Sequence, residues 1–279
     1  MNAQILDGKF VASRVREQVK RDVERLKSLE MYPGLGTILV GSDPGSVSYV
    51  QGKHRDCAEV GIASLQIELP ETASFHDIAA AVRDLNEAKE CSGFIVQLPL
   101  PSGIDSLSIL QLMDPAKDAD GLHPENLGLL VHQKPRVLPC TPAGIVKLLE
   151  HYGIGFEDKH VVIVGRGITV GRPLGLLLSQ RGVDATVTLC HSKTPDLKQF
   201  LASADIIVAA AGMAHGISAV DIKPQAICVD VGITRVGNQL VGDFNPDVTD
   251  KASWLSPMPG GTGPMTRAML LANVLQLTQ

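Results

Sequence analysis

Apolar residues along this chain keep two rhythms that alternate from the N-terminus onward. Within residues 9–29, Val11, Val15, Val19, Val23 and Leu26 fall at steps of four and three, the spacing that lines one face of a helix. Residues 35–40 instead form a short, nearly continuous apolar run, as in a buried strand. The turn-rich GSDPGS at 41–46 separates that strand from a helix predicted over about 47–60. Residues 62–69 read as the next strand, and Ser74-x-x-Asp77 opens a helix that runs to about Lys89. Residues 94–98 form a third strand, stopped by Pro99 and Pro101. Strands alternating with helices predict an α/β fold with parallel sheets.

From Pro101 to Pro139 the rhythm loosens, proline and glycine become frequent, and a boundary between two domains is expected. Thr141-Pro142 then predicts a helix start, with threonine as the cap and proline in the first helical position. That helix runs to about His151. A strand at 161–164, the turn Gly165-Arg166-Gly167, a helix-like stretch and a strand at 185–190 make a βαβ unit. Further strands are expected at 206–209 and 227–231. The loop SPMPGGTGP at 256–264 precedes a last helix over 265–277.

Composition narrows the class. The chain has 279 residues, 44% hydrophobic but only 4% aromatic, so its core must be aliphatic. The formal net charge is −5 and no basic tract stands out, which argues against nucleic-acid binding through phosphate neutralisation. The five cysteines include no CxxC pair and read as reduced thiols of a cytoplasmic protein. MNAQILDGKF lacks the apolar core of a signal peptide, and the longest apolar run, 206–211, is far too short to span a membrane. Histidines at HxxxH or HExxH spacing are absent, so no metal site is expected.

The candidate chemistry sits in two places. Gly165, Gly167 and Gly171 form GxGxxxG between a strand and a helix, where backbone N–H groups attract anions. A binder of NAD usually places Asp or Glu after the second strand, to hold the ribose 2′-hydroxyl. This chain has His191-Ser192-Lys193 there, and Arg166 in the turn. A hydroxyl and a cation suit a 2′-phosphate, which points to NADP. Contacts of that kind are worth about 1.5–3 kcal/mol each. A plain strand-to-helix crossing, with Ser192 as a turn residue, is the other reading. Tyr49 and Lys53 are four apart and share a helix face. They can do proton chemistry if the lysine pKa falls; a solvated lysine beside a core tyrosine is the alternative. Short-chain dehydrogenases carry Tyr-x-x-x-Lys downstream of the glycine turn, whereas here it lies far upstream. Gln97 is a polar amide at the C-terminal end of an apolar strand, where open α/β sheets bind ligands, although packing explains it too. Asp120 follows Asp114 and Asp118 in a loop that reads equally well as a solvated acidic loop.

Together these segments resemble the bifunctional methylenetetrahydrofolate dehydrogenase/methenyltetrahydrofolate cyclohydrolase family. The likeness covers nearly the whole chain: LDGK at 6–9, VGSDPGSVSYVQGK at 40–53, VQLPLP at 96–101, KDADGLHPENLG at 117–128, PCTPAG at 139–144, VGRGITVGRP at 164–173, CHSKT at 190–194, DVGI at 230–233 and PMPGGTGPMT at 257–266. It implies a folate-binding catalytic domain over 1–139, joined by the C-terminal helix 265–279, and a Rossmann-type NADP-binding domain over 140–264. By position, Lys53 is implied as the catalytic lysine, Tyr49 as the ring that shapes the folate site, Gln97 as the support of the lysine and Asp120 as the partner of the pterin. Leu98, Pro259, Gly260 and Gly261 are implied at the folate, and Gly165, Arg166, Gly167, Ser192 and Ile233 at NADP. The resemblance also implies a homodimer whose ligands occupy a cleft between the two domains. This chain departs from the family at Gly167 (usually serine), Thr234 (usually asparagine) and Thr262 (usually valine), and in a hairpin at 240–245 shorter than usual. A shikimate-dehydrogenase-like enzyme and a non-catalytic NADP-sensing module are the competing expectations.

Overall fold

The structure, a computed structural model, describes residues 2–237 and 239–279. The chain forms two compact units, one of residues up to Ala12 with Thr141–Thr266, the other of Ser13–Cys140 with Arg267–Gln279.

Chain order begins with β1 (Gln4–Ile5) and α1 (Gly8–Ser28). The latter buries Val11, Val19, Val23 and Leu26, four of the five positions its spacing selects. β2 (Gly34–Val40) leads to α2 (Pro44–Val60), which starts three residues before the expected 47. The cause is local: the Asp43 carboxylate accepts the Ser46 N–H at 2.8 Å, and Pro44 takes the first helical position. β3 (Ala63–Leu69) and α3 (Phe75–Glu87) follow, the helix closed at its start by a reciprocal Ser74–Asp77 capping box. After β4 (Gly93–Val96) come α4 (Ser106–Leu110) and α5 (Pro124–Val131). The loose boundary expected over 101–139 is therefore corrected: this stretch folds within the Ser13–Cys140 unit. α6 (Cys140–His151) begins two residues early, so Thr141 lies inside it rather than capping it. The Cys140 N–H donates to the Asp120 carbonyl at 3.3 Å, which satisfies an end group without a threonine cap.

In the Ser13–Cys140 unit the sheet order is β3-β2-β4, all parallel, with β2 buried along its whole length. One apolar cluster joins Leu35 and Ile95 to α1, α2 and the C-terminal residues Leu270, Leu271 and Val274. A second joins Ile38, Phe94 and Val96 to Ile78, Val82 and Leu85 of α3. Alternation along β2 and β4 thus feeds both faces, as a parallel strand requires.

The other unit adds β5 (His160–Val164), α7 (Gly171–Leu178), β6 (Thr186–Cys190), α8 (Leu197–Ser203), β7 (Ile206–Ala209), β8 (Ile227–Asp230), β9 (Thr234–Val236), β10 (Gln239–Val241), β11 (Trp254–Ser256) and the start of α9 (Thr262–Leu277). Its parallel sheet has the order β1-β11-β8-β7-β5-β6. The expectation that 1–139 forms one domain is corrected at its N-terminus. Gln4 and Ile5 pair with Trp254 and Leu255, so the first strand completes the dinucleotide sheet. A two-residue strand is too short to show periodicity. The hairpin, expected at 240–245, is β9–β10; its Asn238 lies outside the described residues. α9 starts three residues early because the Thr262 hydroxyl donates to the Asp230 carbonyl at 3.0 Å. β6 and β7 flank β5 on opposite sides, which makes the C-terminal end of β5 the switch point where such sheets bind ligands. No helix among the described residues is long and apolar enough to cross a membrane.

A Cβ on Gly171 would lie 1.9 Å from the Gly165 carbonyl oxygen, whereas one on Gly175 would meet nothing closer than 3.8 Å. Gly171→Ala is therefore expected to cost about 1–3 kcal/mol, and Gly175→Ala, one turn further into the helix, to gain about 0.5–1 kcal/mol. Urea unfolding of both variants checks the contrast.

Candidate active site

Lys53 stands on α2, one turn after Tyr49, with its amine 4.8 Å from the centre of the tyrosine ring. It is 4% exposed, so the solvated alternative does not hold. Nζ donates to Gln97 Oε1 at 3.1 Å. The Gln97 amide cannot turn around, because its Nε2 donates to the Leu98 carbonyl at 2.8 Å and its backbone N–H donates to Ile38 at 2.9 Å. Gln97 and the half-buried Leu98 lie just beyond the C-terminal end of β4. Burial holds the Lys53 pKa below its ordinary value, opposed chiefly by the Asp120 charge. Burial also raises the Asp120 carboxyl, with Lys53 opposing and Asp118 adding to the rise.

The loop carrying Asp120 is built, not solvated. Asp118 is buried and accepts the N–H groups of Gly121 at 3.0 Å and His123 at 2.7 Å, and the Asn126 amide at 2.8 Å. Arg136 in turn donates to Asn126 Oδ1 at 2.7 Å. The sequence marks Asp118 as acidic but does not show that it shapes the loop. Nearby thiols are held protonated: burial raises Cys140 well above its usual value and pushes Cys57 up to about 12. Neither is a nucleophile at neutral pH.

The second group of residues surrounds a cavity of about 510 Å³ at the end of β5. Gly165, Arg166, Gly167 and Ser192 all line it, with Ala210, Ala211 and Met213 across from them. Gly165 has φ +125°, and a Cβ there would sit 2.2 Å from the Ala210 carbonyl oxygen, so only glycine passes. Gly167 is different. The nearest atom to its would-be Cβ is 4.0 Å away, so packing does not demand glycine there. The turn after β6 is tied internally: the His191 N–H donates to Thr194 Oγ1 at 2.9 Å, and the Lys193 N–H to His191 Nδ1 at 3.1 Å. Arg166 and Ser192 are exposed to the cavity side. Ile233 follows β8, is 55% exposed, and does not line this cavity.

Pro259, Gly260 and Gly261 belong to the same unit as the cavity. Gly260 has φ +115°, and its carbonyl accepts the Lys9 N–H at 3.1 Å. A Cβ on Gly8 would lie 1.7 Å from the Gly261 carbonyl oxygen. The LDGK and PGG segments, distant in sequence, are packed backbone against backbone. Among the described residues no cluster of His, Cys, Asp and Glu is arranged to hold a metal.

Two carboxylates escaped the sequence reading. Asp243 is fully buried and accepts the N–H groups of Ala211, Gly212 and Met213 at 2.8, 3.2 and 2.6 Å, which fixes the loop lining the cavity. Asp230, 4% exposed, accepts the N–H groups of Asp243 at 2.9 Å and Phe244 at 3.3 Å. Burial raises Asp230 from 3.8 to about 6, against those backbone hydrogen bonds. The folded protein therefore binds the proton more tightly than the unfolded chain. This contribution to stability is present in full below pH 3.8 and is lost as the pH rises through about 6. Asp230→Asn is expected to gain about 2–3 kcal/mol relative to the parent between pH 4 and pH 7. Urea unfolding at the two pH values measures the difference.

With this geometry in place, the comparisons with known proteins become specific. Residues 6–120 match the family model of the tetrahydrofolate dehydrogenase/cyclohydrolase catalytic domain, and residues 139–279 match that of its NAD(P)-binding domain. The bifunctional methylenetetrahydrofolate dehydrogenase/cyclohydrolase from Campylobacter jejuni is 40% identical, with a TM-score of 0.94 over 99% of this chain and 98% of its own. The Trypanosoma brucei enzyme, solved with NADP cofactor and inhibitor, is 36% identical, with a TM-score of 0.95 over 100% of this chain and 98% of its own. A shikimate 5-dehydrogenase from Thermus thermophilus is 14% identical, with a TM-score of 0.55 over 88% of this chain and 98% of its own, a likeness of fold alone. Matched by both domains of one family and over almost its full length by solved members, this chain belongs to the tetrahydrofolate dehydrogenase/cyclohydrolase family.

Proposed function

We propose that this chain oxidises methylenetetrahydrofolate to methenyltetrahydrofolate with NADP⁺ and hydrolyses the product to 10-formyltetrahydrofolate. One observation carries the reading: a buried lysine amine, held by a glutamine amide that cannot turn, beside a tyrosine ring and a buried-side aspartate. The residues around the 510 Å³ cavity fit NADP. A glycine turn opens backbone N–H groups to a diphosphate, and Arg166 and Ser192 offer a cation and a hydroxyl to a 2′-phosphate. The residues that directly follow β6, His191-Ser192-Lys193, include no carboxylate to repel it. When bound, NADP⁺ supplies the hydride acceptor.

Hydrolysis falls to the protein. The methenyl carbon is cationic and is attacked by water. The oxygen must lose both its protons: one leaves to solvent as the cation is neutralised, and one is replaced on a ring nitrogen as its bond to that carbon breaks and the formyl C=O forms. Lys53, its pKa lowered by burial, takes a proton from the oxygen and delivers one to the ring nitrogen. Gln97 Oε1 holds the amine in place through both transfers, and the Tyr49 ring face stabilises the transient ammonium. Asp120 binds the pterin edge, and Leu98, Pro259, Gly260 and Gly261 complete the folate contacts. Ile233 adds a contact to the nicotinamide half of NADP. The chain acts as a homodimer in the cytoplasm, where its free, buried cysteines stay reduced.

Lys53→Met is expected to slow hydrolysis of methenyltetrahydrofolate by about 10²–10⁴-fold and to affect hydride transfer far less, because that step needs no strong base. The decay of methenyl absorbance against NADPH appearance separates the two; wild-type hydrolysis would overturn the assignment. Replacing Arg166 and Ser192 together by alanine should lower the preference for NADP⁺ over NAD⁺ by about 10²–10⁴-fold, read from kcat/KM for each cofactor.

A further inference from the structure

One charged pair near Lys53 has no part in the chemistry described above. Arg267, near the start of α9, lies across α2 at the turn that carries the lysine. Its Nε lies 3.0 Å from Asp56 Oδ2 as an ion pair, and neither of these buried atoms makes a hydrogen bond among the described residues. Asp56 stands three residues after Lys53. On the other side, Gly52 immediately precedes Lys53, and a Cβ there would lie 2.1 Å from Arg267 Nη1 and 3.2 Å from its Cζ. The guanidinium therefore occupies the space left by the missing side chain of Gly52 and reaches the carboxylate one turn further on. A helix normally gains by alanine over glycine at such a position; here the glycine makes room for a cation.

We propose that Arg267, seated over Gly52 and paired with Asp56, is a positioning residue that fixes the turn of α2 bearing Lys53 and adds a cation at that turn. The inference rests on the reading of Lys53 as the proton carrier in hydrolysis. It deepens that reading by naming a cation that, after burial, also disfavours the ammonium. The groups facing Lys53 are Asp120 from its loop, Cys140 from the start of α6, Cys57 and His54 from α2, and Arg267 from α9. Asp120 and the two thiols favour the ammonium, whereas burial and Arg267 favour the neutral amine. Asp56 is faced by Arg267, by Arg16 of α1, and by Glu59 and Arg55 of α2. Arg16 already pairs with Glu59 at 3.1 Å, which leaves Arg267 as the close partner of Asp56.

The test is the pH profile of both activities in the full-length enzyme. In Arg267→Met, the rise of hydrolysis with pH should move to higher pH, because a like charge that disfavours the ammonium is gone and the turn bearing the amine is released. The profile of hydride transfer at saturating NADP⁺ should stay where it is. Arg267→Lys, which restores the charge, should bring the hydrolysis profile most of the way back; a purely structural role would not show that rescue. Gly52→Ala leaves both residues in place but displaces the guanidinium, and should move the profile in the same direction. If Arg267→Met fails to fold, Gly52→Ala decides. A hydrolysis profile unmoved in a variant with parental circular dichroism and melting overturns the inference. Lys53→Met keeps the two readings apart. If it abolishes hydrolysis, an unmoved profile sinks only the role of Arg267; if hydrolysis survives, the reading of Lys53 itself falls.

Discussion

The lysine-bearing unit of this protein is built around taking one amine, that of Lys53, out of water. An isolated ammonium in a protein interior costs several kcal/mol, and the group responds by giving up its proton. The fold supplies that interior by setting α2 against a sheet whose middle strand is buried along its whole length. It then supplies one acceptor, Gln97 Oε1, at the end of the neighbouring strand. Gln97 can serve because both its amide nitrogen and its backbone N–H are committed to main-chain carbonyls. The result is an amine that is desolvated yet held in a single direction. A proton carrier requires both, since proton transfer depends on pKa and on reach.

The cofactor half obeys a different constraint, close approach of backbone to backbone. Gly165 passes beneath Ala210, Gly171 beneath Gly165, and Gly8 beneath Gly261, each too near for a side chain. These contacts draw the loops after β5 and β7 together at the switch point of the sheet. Asp243 then locks the second of these loops by accepting three consecutive N–H groups. Asp230 locks the segment bearing Asp243. A chain of buried carboxylates thus carries rigidity from the sheet to the cavity wall. Gly167 stands outside this scheme. It has open space around it, so packing does not demand its lack of a side chain, and it lines the cavity beside Arg166 and Ser192.

Much of the architecture was legible because it repeats at short range. The helical face of α1, the capping box of α3 and the strand–glycine–helix run at 160–178 are each written within a dozen or two residues. Errors occurred where a partner far along the chain decides, or where burial turns a local polar residue into a cap or scaffold. β1 is two residues long and becomes a strand only because β11 is there to pair with it. The stretch 101–139, which reads as a loosely patterned linker, is organised by a single buried carboxylate, Asp118, gathering two N–H groups and an amide. The helix starts at Pro44, Cys140 and Thr262 were each misplaced by two to three residues, because a cap or a distant carbonyl set them.

By itself the sequence determined the α/β alternation, the glycine turn, the absence of an acid directly after β6 and the pairing of Tyr49 with Lys53 on one helical face. All of these follow from residue type and local periodicity, which act over a few residues. Only the tertiary structure decided that Lys53 is dry, that Gln97 points its oxygen at it, that Asp118 is a scaffold for Asp120, and that Arg267 fills the gap at Gly52. Desolvation, hydrogen-bond direction and the room left by an absent side chain are properties of what surrounds a residue. Those surroundings come from segments scores of positions apart, which no local pattern records.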